Sequence, residues 1–275
     1  MDAKIRFEDL AIQCLFDASI ESRLMATSRA QTALELGMLD FGSDKPPRPA
    51  CEVCFPDKPI LVEPRHLARR SLGTTAGLIA LLHAVAHIEF TAILLAWDMA
   101  YRFRGLPEDF QRDWLGVAIE EASHFSAVCD RLRLLGADYG DLPAHRGLWE
   151  LAEQTSGDVL HRLALVPRFM EARGLDVTPG MIAKLTELGD AESVAILELI
   201  LREEIGHVAI GTRWFTKVAE ARGIDPEVTY FGLIDRYIKG GVRGPFNIEA
   251  RRRAGFSAAE LNRLENLESA TSVRE

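Results

Sequence analysis

Disulfides have little to work with in this chain. Its 275 residues contain four cysteines, Cys14, Cys51, Cys54 and Cys129, too few and too scattered for the framework that staples a small secreted domain. At 48% hydrophobic residues the chain can build a core without staples. A basic excess is missing too. The formal net charge is −9, whereas proteins that grip nucleic acid through its phosphates usually carry a positive surplus. Nucleic acid is therefore not the favoured partner, although Arg243 and Arg251-Arg252-Arg253 form a local basic concentration. No apolar run is long and clean enough for a membrane span. The richest, 78–100, is interrupted by His83, His87, Glu89 and Asp98. The first residues, MDAKIRFEDL, show no basic-then-apolar leader pattern. Strand alternation is lacking as well. These absences lead to the expectation of a cytoplasmic, all-α protein with no membrane attachment.

What is present reads at helical period almost throughout. A first helix is expected over 7–39. A connector over 44–64 follows, with Pro46, Pro47, Pro49, Pro56 and Pro59 before Pro64, and so many prolines cannot sustain a helix. A short helix fits 65–72. Four long helices come next. The first covers 75–104 and stops at Gly105. The second covers 107–135, with Pro107 in its first turn and Gly136 as its stop. The third ends near Arg173-Gly174, and the fourth covers 191–222 and stops at Gly223. Shorter helices are expected over 226–239 and 257–267.

Two of these helices carry the same motif. Glu121-Ala-Ser-His124 lies on the second long helix and Glu204-Ile-Gly-His207 on the fourth. A spacing of three puts carboxylate and imidazole on one helix face. Two such helices, plus one inward Glu from each of two others, build the di-iron site of ferritin-like bundles. Hard carboxylates with imidazole suit iron or manganese, and carboxylates can bridge two cations. Glu-x-x-His alone is a weak signal. A third copy, Glu63-Pro-Arg-His66, sits at the Pro-rich boundary and reads as a decoy, its Glu placed to suit a helix start. Spacing is more specific. Glu89 precedes Glu121 by 32 residues, and Glu171 precedes Glu204 by 33, so a lone Glu followed by Glu-x-x-His occurs twice, as in two related hairpins. The flanks repeat too, Glu120-Glu121 against Glu203-Glu204. The expected metal ligands are Glu89, Glu121, His124, Glu171, Glu204 and His207, with Glu121 and Glu204 bridging.

The link between the hairpins must be a long crossover. If the second and third long helices run parallel and the third began at Trp149, the link would span more than about 50 Å, while the 13 residues 136–148 reach at most about 45 Å. Residues 148–154 therefore belong to the crossover, and the third helix starts near Thr155-Ser156-Gly157-Asp158, where Ser and Asp are good caps. Pro167, four residues before Glu171, invites a kink or bulge, which either aims that carboxylate or merely serves packing. His83 and His87 share a face of the first long helix, but His87 is two residues from Glu89 and points elsewhere. A supporting or crossover contact is the favoured reading for it. Asp98, Asp130 and Asp190 are candidates for the hydrogen bonds that orient ligating histidines. Cys51-Glu-Val-Cys54, without a second pair, reads as incidental surface cysteine, and Ile93–Trp97 as core.

Several stretches carry a resemblance. Leu82-His83-Ala-Val-Ala-His87-Ile-Glu89, Glu120-Glu121-Ala-Ser-His124-Phe125, Tyr139-Gly140-Asp141-Leu-Pro-Ala-His145, Glu171-Ala-Arg-Gly-Leu-Asp176, Glu204-Ile-Gly-His207-Val and Gly244-Pro-Phe-Asn247 resemble the ferritin-like family catalogued as domain of unknown function 455, from about residue 60 to 260. The resemblance implies a ferritin-like fold and a di-metal site without naming a substrate. More distantly, Glu171-Ala-Arg and the Glu-x-x-His-Phe motif are similar to di-iron tRNA hydroxylases that act on modified adenosines.

The expected architecture is a ferritin-like four-helix bundle over 65–241, preceded by an N-terminal helix and Pro-rich connector over 1–64 and followed by a packed extension over 242–275. The expected function is a di-iron oxidoreductase, a hydroxylase or oxidase holding two iron ions or iron with manganese. It would use dioxygen, an external reductant and a small organic substrate, with a homo-oligomer allowed. A non-catalytic helical protein with a structural or iron-handling metal site and an RNA-modifying hydroxylase are the alternatives. A ferritin cage is disfavoured by the added terminal segments.

Overall fold

A computed structural model describes residues 4–43, 45–67, 71–239 and 242–272, with side chains of the last helix described as far as Leu267. The fold is all-α, 71% helix and 2% strand. The chain divides into two compact units, Met1–Glu153 and Gln154–Glu275.

The first unit is centred on a hairpin of two long helices, α3 (Thr75–Arg102) and α4 (Glu108–Leu134). Thr74 caps α3 by accepting from the Gly77 N–H at 3.1 Å. Pro107 is the capping residue of α4, and Glu108 and Asp109 place negative charge at its positive end. Before the hairpin come β1 (Ile5–Arg6), α1 (Phe7–Phe16), α2 (Ile20–Glu35) and β2 (Leu39–Asp40). The expected single helix over 7–39 is thus broken at Asp17-Ala18-Ser19. The first run ends at Phe16 with Asp17 beyond it, and Ser19 caps the next, taking the Ser22 N–H at 3.2 Å. The two-residue strands pair in parallel, Ile5 with Leu39 and Arg6 with Asp40. Both α1 and α2 pack on the hairpin. Phe7 stacks on Trp97 at 5.4 Å, and the Trp97 indole N–H donates to Thr27 Oγ1 at 3.0 Å. Among the described residues the connector carries one bridge pairing of Leu61 with Ala144 and single 3₁₀ turns at Ala50–Glu52 and Pro64–His66. The latter stands where a helix over 65–72 was expected, and residues 68–70 of that stretch lie outside the described residues. A short helix, α5 (Gly147–Gln154), follows α4.

α3 is the one helix among the described residues with the length and apolar content of a membrane span, and 67% of that apolar window is buried inside the fold. It buries Glu89 and Asp98 along with Ile93, Leu94, Leu95, Ala96 and Trp97.

In the second unit α6 (Val159–Leu165) passes through a π-helical turn, Val166–Glu171, into α7 (Ala172–Glu187). Asp158 caps α6 through the Leu160 N–H at 2.8 Å, close to the expected start. The expected stop at Arg173-Gly174 is not one. The helix runs on through Pro179, and the reversal comes at Gly189, whose φ of +76° suits glycine. Asp190 caps α8 (Ala191–Ala221), which packs on α6, the π-turn and α7. Helices α9 (Pro226–Tyr237), α10 (Ile248–Arg253) and α11 (Ala258–Ser272) complete the unit, α10 being unanticipated.

Candidate metal centre

In an antiparallel hairpin, residues equidistant from the turn lie level. Glu89 and Glu121 each stand sixteen residues from Gly105, and His124 is on the same face of α4 one turn on. The structure brings the three together. His124 Nδ1 is 3.2 Å from Glu89 Oε2 and 3.4 Å from Glu121 Oε2. One ligand atom from each of the three falls within 4.8 Å of the others, and all three residues are buried. Burial alone would lower the His124 pKa. Hydrogen bonds and charge from Glu121 and Glu89 overcome it and hold the imidazole at about 11. Two carboxylates converging on one imidazole make a pocket of negative potential in a low dielectric, a place that draws a cation. These buried groups are able to hold a metal ion.

The second unit buries the second copy of the Glu-x-x-His motif. Glu204 and His207 are buried on one face of α8, with Oε2 and Nδ1 3.7 Å apart. Glu171, half-buried, is the last residue of the π-turn. Its height follows from a close contact. A Cβ on Gly211 would lie 2.5 Å from Pro167 Cβ, so Pro167 sits directly on α8 at Gly211. Four residues on from Pro167, and four back from Gly211, Glu171 comes level with His207. The bulge invited by Pro167 is present as this π-turn, and Pro167 packs on α8 at Gly211.

The π-turn is anchored by Arg168. Its Nη2 donates to Glu260 Oε1 at 2.7 Å and its Nε to Thr212 Oγ1 at 3.3 Å. The guanidinium lies over the rings of Phe215, Tyr230 and Phe256. The Tyr230 hydroxyl donates to the Arg168 carbonyl at 2.8 Å. Neither Arg168 nor Gly211 stands out in the sequence, since a helical Arg or Gly has no pattern that announces a partner distant in the chain.

His87 makes the crossover contact expected of it. Its Nε2 donates to the His145 carbonyl at 3.0 Å, and its Nδ1 accepts from the Tyr139 hydroxyl at 2.8 Å. Burial pushes its pKa down to about 4 against the opposing pull of the carbonyl bond. The aspartates proposed to orient the ligating histidines have other engagements. Asp98 Oδ2 accepts from Arg102 Nε at 3.0 Å, Asp130 pairs with Arg133 at 2.7 Å, and Asp190 caps α8 through the Ser193 N–H at 3.1 Å. Glu63 is exposed and pairs with Arg65 at 2.8 Å, in line with a decoy. Cys51 is exposed, Cys54 half-buried, and both are free thiols. Arg251, part of the apparent basic cluster, is buried against Asp176.

Comparison with known proteins bears out the family part of the sequence resemblance, domain of unknown function 455. A family model described as "Protein of unknown function (DUF455)" matches residues 16–262. A Haemophilus influenzae protein, described as an uncharacterized protein, is 46% identical over 221 residues, covering 78% of this chain and 77% of its own length. No solved structure matches significantly.

Proposed function

This chain belongs to the DUF455 family of proteins of unknown function, and from its residues we propose that it is a di-iron oxidoreductase of the ferritin-like kind. Glu89, Glu121, His124, Glu171, Glu204 and His207 would hold two iron ions, or one iron with one manganese. The observation that carries this reading is the convergence of Glu89, Glu121 and His124, three buried ligand atoms within 4.8 Å of one another. It is joined by the second lone Glu and Glu-x-x-His at nearly the same spacing. Iron bound by such ligands supplies dioxygen chemistry, with electrons from an external reductant, and hydroxylation or oxidation of a small organic substrate is the reaction class it serves.

The protein's own contributions follow from its side chains. Carboxylates from two helices fix the donor atoms before the metal arrives, which spares reorganisation. Ala92, Ile93, Val117, Ala118 and Phe125 around the first ligand set are buried and exclude water. The bonds of His87 to Tyr139 and His145 tie the helix bearing Glu89 to the segment that follows α4.

Elemental analysis tests the assignment. Wild type reconstituted with ferrous iron should carry about two metal ions per chain, the stoichiometry of a di-iron carboxylate bundle, and Glu121→Ala and His207→Ala should each lose them. Reconstituted wild type that binds none, or variants that keep a full complement, would overturn the reading.

A further inference from the structure

The first unit holds a cavity of about 230 Å³, open to solvent on the side where Ala84 and Ile88 are exposed and lined also by His83, Leu142, His145 and Leu148. It lies between α3 and the segment after α4. Apart from its histidines the lining is aliphatic, and among the described residues no Lys, Arg, Asp or Glu contributes to it.

Hydrogen bonds assign the tautomer of each histidine. His83 Nε2 accepts from the Gly140 N–H at 3.0 Å, so its Nδ1 carries the ring proton. His145 Nδ1 accepts from the Gly147 N–H at 3.1 Å, so its Nε2 carries the proton. His87 uses both ring nitrogens on Tyr139 and the His145 carbonyl. His83 is only 2% exposed and lies stacked on Tyr139 at 5.4 Å, which holds its ring in place. The cavity is thus largely apolar, is lined by no Lys, Arg, Asp or Glu among the described residues, and has two lining histidines that each keep one N–H outside these bonds. An ion would find no opposite charge there, whereas a neutral molecule with an acceptor can answer a histidine N–H and lay its apolar part on the aliphatic walls. Its size suits a single ring with a small substituent, since a cavity of about 150 Å³ already holds benzene.

We propose that this cavity is a binding site for a neutral, monocyclic organic molecule that presents a carbonyl or ring-nitrogen acceptor to His83 Nδ1–H and His145 Nε2–H. The site is separate from the six proposed metal ligands and requires no metal. The test uses the full chain with isotopically labelled histidine and benzamide as the probe, followed by NMR with and without added ferrous iron under anaerobic conditions. Benzamide should shift the ring signals of His83 and His145 in both states. It should bind about tenfold or more tighter than toluene, which lacks the acceptor, or benzylammonium, which carries a charge. Ala84→Trp should fill the space and weaken benzamide by a similar factor. Ala84→Leu serves as the smaller intrusion should the Trp variant fold poorly. Failure of benzamide to bind, equal binding of toluene or benzylammonium, or binding indifferent to both Ala84 variants would overturn the proposal. Loss of the metal reading alone would leave it standing.

Discussion

Asp176 shows how much a single buried side chain can carry. Its Oδ1 accepts from Arg251 Nε at 2.9 Å and from the Asn247 N–H at 2.9 Å, while Oδ2 takes Arg251 Nη2 at 2.7 Å. One carboxylate thus fastens α10 to α7. Removing it strands a buried guanidinium, and Asp176→Ala should cost about 3–5 kcal/mol in urea unfolding. A loss below about 1 kcal/mol would place the pair among surface bridges that matter little. Asp158 is the pH-sensitive counterpart. Burial raises its pKa, but bonds from Arg222 and the Leu160 N–H outweigh this and hold it below the ordinary carboxylate value. The folded state thus prefers the ionised form. Its contribution is complete above the unfolded pKa and fades as pH falls through the lower folded one. Asp158→Asn keeps a capping oxygen but loses the charge. The stability gap between wild type and this variant should therefore be full at pH 7 and narrow as pH falls below about 4. Urea titrations at pH 7 and pH 3 measure it, and a gap that persists in acid would mean the cap, not the charge, was lost.

At the scale of helices, the ends that sequence reveals are those marked by local chemistry. The start of α4 and the ends of α4 and α8 follow from Pro107, Gly136 and Gly223, because first-turn prolines and left-handed glycines act within a turn of where they stand. Three features escaped. Asp17-Ala18-Ser19 breaks a stretch whose period continues on both sides. Gly174 has the look of a stop, yet packing keeps it helical. Pro167 signals a disturbance, but that it is a π-turn depends on α8. Gly211 makes the last point testable. Alanine is normally the better helix former, and at Gly232, where an added Cβ meets nothing within 4 Å, Gly→Ala should be neutral or stabilising by up to about 1 kcal/mol. At Gly211 the same methyl group would strike Pro167, and Gly211→Ala should cost about 1–3 kcal/mol through overpacking. It should also weaken iron binding, because Glu171 rides on the displaced turn. A Gly211→Ala variant as stable as wild type would show that the π-turn can shift freely against α8.

For the molecule as a whole, the legible part of the candidate site is its repetition. A lone Glu and a Glu-x-x-His recur at almost equal spacing, and each unit folds its copy into an antiparallel hairpin, which in the first brings Glu89 and Glu121 level. What supports them was illegible, because Arg168, Gly211 and Tyr139 act through partners dozens of residues away. The repetition allows two physical outcomes that thermal unfolding separates. Ligand that binds the folded state at about a hundred times its Kd adds about 2.7 kcal/mol, roughly 5–10 °C in Tm for a chain of this size. Anaerobic ferrous iron should therefore raise the Tm of wild type by about that much, and a chelator should reverse it. If Glu121 and Glu204 bridge one pair of ions, as the sequence reading expects, each ion depends on carboxylates from both copies of the motif. Glu121→Ala and His207→Ala should then each abolish the whole shift, although they lie in different units. If each hairpin held its own ion, either variant would keep about half. Retention of half would overturn the shared pair while leaving two mononuclear sites, and dioxygen chemistry would have to be sought at a single iron instead.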